Sequence, residues 1–176
     1  MDVQGHAEYT PLHAASYRGQ VDIMQWLLNH GADVDACASD GFTPLRQAAY
    51  ELQLEVVQVL FEHHADINSR DIHGRTSLYW ILAVCAWKPE EKLVDMVRLL
   101  LELGADPNIC TNKHKTPLHQ ASSDGLLEAA RLLLSHGAKV DEKDGEGKTP
   151  FQLAASNGHE ELTKLLTEHG AVPRSP

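Results

Sequence analysis

One short motif recurs along this chain at a nearly constant interval, and this period limits the possible folds more than any other feature. The motif starts with a threonine that is followed, in four of five copies, by proline. Its threonines are Thr10, Thr43, Thr76, Thr116 and Thr149, at intervals of 33, 33, 40 and 33 residues. Repeats of about 20–50 residues are typical of solenoids, in which similar units stack side by side.

Each of the five units has the signals of two short helices. Threonine is a good N-cap, and proline suits the first helical position, where its missing N–H costs nothing. The first helix runs to a glycine such as Gly19 or Gly125, which suits a left-handed cap. The second helix has apolar residues at helical spacing, as in Ile23, Trp26 and Leu27, and ends at a second glycine. Helices this short are unstable alone in water, so the pairs must stack.

The sequence "TPLHAA" at Thr10, the period of 33 residues and the closing Gly-Ala pair resemble the ankyrin repeat. The resemblance covers residues 2–172 and implies an all-α solenoid of stacked helix-turn-helix units with β-turn fingers. We expect a single domain, 1–172, and a short tail, 173–176. Its five predicted repeats, called repeats one to five below, are 2–34, 35–67, 68–107, 108–140 and 141–172.

Three positions depart from the glycines of this pattern. Leu52 stands where glycine separates the two helices, and His64 where glycine ends the second helix. His114 replaces the glycine just before a motif threonine. A residue with a Cβ is strained in the left-handed conformation that such glycines adopt. These positions are therefore expected to be either weak points or compensations around repeats two to four.

Repeat three is seven residues longer than the others, with the extra residues near 85–91. The apolar run "YWILAVCAW" predicts that its first helix continues to Trp87 or Lys88. Pro89 then favours a stop, followed by a new helix with proline at its first position. Glu90 and Glu91 would lie at the positive end of that helix. We expect about one extra turn on each helix of this repeat.

The two tryptophans of this run lie on one predicted helix face, since Trp80, Val84 and Trp87 are spaced at i, i+4 and i+7. We expect Trp80 to be part of the core. Trp87 has two readings, either packing near Leu52 or standing exposed as an anchor for a partner.

The two ends of the array differ in polarity. The last outer helix carries Glu160, Thr163 and Thr167 where the first carries Val21, Met24 and Leu28. Polar residues at these positions are typical of a C-terminal capping repeat. The first repeat shows no comparable polar face. Either a segment precedes it, or this face packs on something else, or an imperfect cap is tolerated.

Composition excludes several classes of protein. The net charge of −10 disfavours binding to nucleic acid or to anionic lipid. No apolar run approaches the about 20 residues needed to span a membrane. Three cysteines without close pairs are typical of reduced thiols in an intracellular protein, cytoplasmic or nuclear.

Two stretches resemble chemical motifs but lack required residues. "GEGKT" at 145–149 would need glycine where Glu142 stands to form a phosphate-binding loop. "HEELT" at 159–163 has Thr163 in place of the second histidine of a zinc-protease helix. Most histidines recur with the repeats. We expect no catalytic residues, no cofactor and no metal site, and therefore no enzyme.

The resemblance implies that the chain binds another protein through its turn tips and the exposed ends of its inner helices. Residues just before the motif threonines are Tyr9, Phe42, Arg75, Lys115 and Lys148. Candidates elsewhere are Tyr17, Arg18 and Tyr50 near inner-helix ends, Lys113 at a tip, and Trp87.

The first two repeats present the aromatic residues Tyr9, Tyr17, Phe42 and Tyr50, and the last three present the cations Arg75, Lys115 and Lys148. A cation beside a helix N-terminus opposes the helix dipole, by about 0.3–1 kcal/mol where exposed, so Arg75, Lys115 and Lys148 do not stabilise their helices. We predict a partner segment with an apolar or aromatic part followed by acidic residues. The chain is then a monomeric, non-catalytic interaction module or, alternatively, the targeting module of a larger protein.

Overall fold

A computed structural model describes residues 9–39, 41–84 and 89–172, and Trp87 and the tail 173–176 lie outside these ranges. Within them the chain forms ten α-helices and no strand. The helices are α1 (Pro11–Arg18), α2 (Val21–Asn29), α3 (Pro44–Tyr50), α4 (Leu54–Glu62), α5 (Ser77–Ala83), α6 (Glu90–Glu102), α7 (Pro117–Asp124), α8 (Leu127–Ser135), α9 (Pro150–Ser156) and α10 (Glu160–Glu168).

The helices form two layers, which confirms the predicted all-α solenoid. The odd-numbered inner helices pack in chain order from α1 to α9, and outer helices pack as α2 on α4, α6 on α8 and α8 on α10. The leucine of each Thr-Pro-Leu motif is buried between the layers, as in Leu12, Leu45 and Leu118. None of the helices in the described ranges has both the length and the apolar character needed to cross a membrane.

Motif threonines start the inner helices, as the sequence predicts. The side-chain oxygens of Thr43, Thr76, Thr116 and Thr149 each accept a hydrogen bond from the backbone N–H three residues on. Such a bond satisfies one of the N–H groups that have no partner within the helix. Ser77 follows Thr76 in place of proline, yet α5 begins at the equivalent residue.

The three residues that replace glycines keep the conformation that glycine would adopt. Leu52, His64 and His114 have φ angles of 58°, 65° and 56°. They differ in what their side chains contribute. Leu52 is partly buried and packs against the hydrophobic core, whereas the two histidines are exposed. Strain at the histidines is therefore not offset by burial of their side chains.

Within the described residues, the outer helix of repeat three is longer than its equivalents and the inner helix is not. Helix α6 has 13 residues, against nine in α4 and in α8. Helix α5 ends at Ala83, and Val84 is already outside the helical conformation, so the predicted extension to Trp87 or Lys88 was wrong. An inner helix packs between two others of seven or eight residues, and an added turn would project past both of them. Residues 85–88 themselves lie outside the described ranges.

Pro89 also takes a different place from the one predicted. Its φ of −59° and ψ of 127° make it the N-cap of α6, and Glu90 is the first helical residue. The extended ψ keeps Pro89 out of the helix, while its fixed φ still directs the chain into the first turn. Glu90 and Glu91 occupy the acidic first turn as expected.

Histidines of the motif link α1 and α7 to the finger of the next repeat. The Nδ1 atom of His13 accepts the backbone N–H of Thr10 at 3.1 Å, so the ring proton is on Nε2, which donates to the carbonyl of Phe42 at 2.9 Å. His119 makes the same pair of bonds, and its Nε2 lies 3.1 Å from the carbonyl of Lys148. Both imidazoles are fully buried.

Two other residue types occupy the histidine position in repeats two and three. Arg46 is also fully buried, and its Nη2 donates to the carbonyls of Arg75, at 2.8 Å, and of Ser69, at 3.1 Å. Tyr79 instead donates its hydroxyl proton to Oε1 of Gln120 at 3.0 Å. Arginine thus reproduces the link to the next finger, and tyrosine replaces it with a link between inner helices.

The C-terminal end is polar, as predicted. Thr163 and Thr167 lie on the uncovered side of α10 and donate their hydroxyl protons to backbone carbonyls of the same helix. The residues equivalent to Thr163, namely Met24, Val57, Val97 and Ala130, are all buried by the repeat that follows them. Polar side chains therefore close the stack at this end.

Replacing the two exposed left-handed histidines by glycine should stabilise the protein. His64→Gly and His114→Gly should each raise the free energy of unfolding by about 0.5–1 kcal/mol, because relief of strain exceeds the entropic cost of glycine. Leu52→Gly serves as the contrast, since it also removes apolar packing and should give no gain. Urea unfolding would measure all three, and destabilisation by both histidine replacements would contradict this account.

Candidate partner-binding groove

Aromatic residues of repeats one and two line one open groove, called here the aromatic groove. It has a volume of about 750 Å³ and lies along α1 and α3. Its walls include Tyr9, Tyr17, Arg18, Tyr50 and Glu51. Tyr17 and Tyr50 occupy equivalent positions near the ends of their helices, one repeat apart. The period of 33 residues thus brings Tyr50 of repeat two into one groove with Tyr9 and Tyr17 of repeat one.

The tyrosines of the groove present large rings to solvent. The side chains of Tyr9 and Tyr17 are 51% and 59% exposed. The ring of Tyr9 meets the imidazole of His13 edge-on, with centroids 5.1 Å apart. Arg18 and Glu51 add one charge of each sign to the walls. The groove is therefore mainly apolar, with hydroxyl groups and a balanced pair of charges around it.

A second group of residues, called here the central cluster, lies where repeats two and three meet. It comprises Phe42, Trp80, Arg75 and Asp71. The rings of Phe42 and Trp80 meet edge-on with centroids 5.8 Å apart. The guanidinium carbon of Arg75 lies 3.9 Å from the centroid of the Trp80 ring, which is a cation–π contact. Phe42 and Arg75, predicted as separate surface residues, are thus joined through Trp80.

Trp80 does not lie in the core, so the prediction that it is part of the core was wrong. The side chain is half-buried, and its neighbours Leu78, Ile81 and Leu82 fill the core instead. Successive side chains of a helix point in different directions. Because the side chains of these three residues face the core, the side chain of Trp80 faces the finger of its own repeat. Its indole Nε1 is buried without a hydrogen-bond partner.

Asp71 holds Arg75 in place. One carboxylate oxygen accepts the backbone N–H groups of His73 and Arg75, at 2.9 and 2.8 Å, and the other accepts Nε–H of Arg75 at 2.7 Å. Partial burial alone would raise the pKa of Asp71, but these bonds and the charges of Arg46 and Arg75 outweigh it and lower the pKa. Arg75 is therefore a paired cation within the central cluster.

The three lysines predicted at the surface lie along the fingers of repeats four and five. Lys113 and Lys148 are exposed, and Lys115 is half-buried. The Nζ atom of Lys148 lies 3.2 Å from the carboxylate of Glu146, but both side chains are more than half exposed, so this pair contributes little. The lysines are therefore more available to a partner than Arg75 is.

Neighbouring fingers are joined to one another by hydrogen bonds. The backbone N–H of Asn112 donates to the carbonyl of His73 at 2.9 Å, and its side-chain amide donates to the carbonyl of Ile72 at 3.0 Å. The N–H of Gly145 donates to the carbonyl of Lys113 at 2.9 Å. These bonds hold the tips of repeats three to five in a fixed relation.

Sequence reasoning missed Trp80 and Asp71 as members of the central cluster. The other repeats gave no clear signal for Trp80, because the equivalent residues are Ala14, Gln47, Gln120 and Leu153, of which Gln47 and Leu153 are buried. For Asp71, the signal was its spacing of four residues from Arg75 across a turn.

Among the described residues, no three His, Cys, Asp or Glu side chains converge in a way that could hold a metal ion. Cys37 and Cys110 are free thiols.

Comparison with known families decides the classification. The family model for ankyrin repeats, in three copies, matches residues 1–71 and 81–175. The chain belongs to the ankyrin-repeat family. Ankyrin repeats are helical modules that generally mediate protein–protein interactions. The unmatched residues 72–80 include Arg75 and Trp80 of the central cluster.

One relative is a human protein, BCL-6 corepressor-like protein 1. It is 38% identical to this chain over 119 residues, which is 68% of this chain and 4% of the relative. This chain therefore corresponds to a small part of the relative's length.

Exchanging two equivalent finger residues for threonine should separate their roles. Asp144 has the position of Asp71, but its second carboxylate oxygen is buried without a partner. Threonine fills this position in repeat four, where the Thr111 hydroxyl accepts the same two backbone N–H groups. Asp144→Thr should leave the free energy of unfolding unchanged or raise it, since it removes a buried, unpaired oxygen. Asp71→Thr should lower it by about 1.5–3 kcal/mol, because the charged bond to Arg75 is lost.

Urea unfolding of the two variants beside the unchanged protein would check this. Equal losses of stability in both variants would show that the bond between Asp71 and Arg75 adds nothing to the finger.

Proposed function

We propose that this ankyrin-repeat chain binds a partner protein along its inner-helix face, with an apolar or aromatic part of the partner in the aromatic groove. The observation that carries the proposal is the convergence of Tyr9, Tyr17 and Tyr50 on one open groove. Tyrosine combines a large apolar ring with a hydroxyl group and loses little side-chain entropy on binding. Interface anchors are accordingly enriched in tyrosine.

Acidic residues of the same partner would then lie against Lys113, Lys115 and Lys148. On a chain of net charge −10, these lysines are a local cationic region, so their attraction acts at short range. Arg75 has a different part in this proposal. Because Asp71 already neutralises it, Arg75 offers the partner a flat, stacked surface together with Trp80, and little net charge.

The biological setting we propose is that of an intracellular scaffold, inhibitor or adaptor that is monomeric. The alternative is a targeting module that recruits substrates or partners for a larger protein. The human relative favours this alternative, because the stretch similar to this chain is only 4% of its length. In either setting the chain supplies recognition and no catalysis.

Affinity capture from a cell lysate, followed by quantitative mass spectrometry, would test the proposal. Two variants change the surface, Tyr17→Ala in the groove and Lys115→Glu with Lys148→Glu on the fingers. Each should reduce capture of the same set of proteins by at least about tenfold, as expected for losing an interface anchor.

Matched controls come from exposed residues outside the groove. Val172→Ala removes a side chain that is 48% exposed, and Lys139→Glu with Lys164→Glu reverses two lysines that are also exposed and paired with glutamates. The controls should capture the same proteins as the unchanged chain. Equal capture by all variants, with helical content unchanged by circular dichroism, would refute binding through this surface.

A further inference from the structure

The first outer helix exposes two large apolar side chains where every later repeat buries its equivalents. Ile23 is 47% exposed and Trp26 is 59% exposed. The residues equivalent to Ile23 are Val56, Met96, Ala129 and Leu162, and none of them is more than 2% exposed. The positions equivalent to Trp26 are Val59, Leu99, Leu132 and Leu165, all buried or half-buried.

The first inner helix shows the same difference. Pro11 is exposed, whereas its equivalents Pro44, Ser77, Pro117 and Pro150 are all buried. Pro11, Ile23 and Trp26 together are called here the leading face. They lie on two helices, so the difference belongs to the whole end of the stack and not to one side chain.

The comparison between repeats shows what normally covers these positions. Equivalents of Ile23 are buried in repeats two to five, including Leu162 in the last, so the preceding repeat covers them. Equivalents of Met24 are buried in repeats one to four, and Thr163 in the last is half-buried, so the following repeat covers those. The leading face is therefore the surface with which each repeat packs on the one before it.

We infer that the leading face accepts a further ankyrin-type helical pair, stacked ahead of repeat one in the same register. The occupant would present aliphatic or small residues of the kind that Met24, Val57 and Ala130 present to the repeats that follow them. This interface continues the one that already joins the five repeats. The leading face adjoins the aromatic groove at Pro11, which lines both surfaces. The inference rests on Ile23 and Trp26, which do not line the groove, and does not depend on the proposed function.

The other end of the chain does not complement this face. A second copy stacked head to tail would bring Thr163 and Thr167 of α10 against Ile23 and Trp26. That contact would bury threonine hydroxyls against apolar side chains, where the other junctions place Met24, Val57 or Ala130. Trp26 is already stacked on His30, with centroids 4.1 Å apart, so its ring is held flat against α2. A flat apolar surface suits helix packing.

The test adds one repeat to the full chain. A copy of residues 108–140 is joined directly to residue 2, which keeps the repeat register and places the copy's equivalents of Ala130 and Leu134 against the leading face. Hydroxyl-radical footprinting with mass spectrometry then measures the reactivity of individual side chains. We expect the reactivity of Ile23 and Trp26 to fall at least fivefold, while that of Tyr17 is unchanged.

A control fusion carries Ala130→Lys in the added copy only. It should leave Ile23 and Trp26 as reactive as in the unextended chain, because a lysine at the junction blocks close packing. Unchanged reactivity in the first fusion, with the added copy helical by circular dichroism, would overturn the inference. So would a dimer of the unextended chain, seen by sedimentation, that Trp26→Lys dissociates, because a second copy would then occupy this face.

Discussion

The structure depends on a hydrogen bond that runs from the fourth residue of one motif to the finger of the next repeat. His13, Arg46 and His119 donate it, and the carbonyls of Phe42, Arg75 and Lys148 accept it, always 29 residues further along the chain. A donor buried at the start of an inner helix would be costly without a partner, so repeats one, two and four each need the next one. Since the acceptors belong to candidate binding residues, the bond also fixes where those side chains lie.

The junction between repeats three and four is built differently. Tyr79 replaces the usual donor and bonds Gln120 on the neighbouring inner helix. At the same junction the fingers take over part of the linkage, with Arg70 donating to the carbonyl of Cys110 and Asn112 bonding to His73 and Ile72. The long outer helix α6 belongs to this same repeat. Repeats three and four are thus joined both at their fingertips and through their inner helices.

Sequence reasoning succeeded where the cause is local and failed where neighbouring elements decide. Threonine N-caps and the left-handed sites at Leu52, His64 and His114 were predictable, because backbone geometry at those points depends on a few adjacent residues. The end of α5 was not predictable, because an added turn would project past the inner helices on either side of it. The position of Trp80 was not predictable either, because it depends on contacts with the guanidinium of Arg75 and the ring of Phe42. The fold holds both groups near Trp80.

Nitrogen-15 NMR of the histidine rings tests the linkage between repeats most directly. The account predicts that at neutral pH His13 and His119 are uncharged, with the proton on Nε2. Burial lowers the pKa of His119, and its bond to the carbonyl of Lys148 opposes this only in part, so it should protonate at a lower pH than histidine in an unfolded peptide. Protons on Nδ1, or titration of His119 at the pH of an unfolded peptide, would contradict the account.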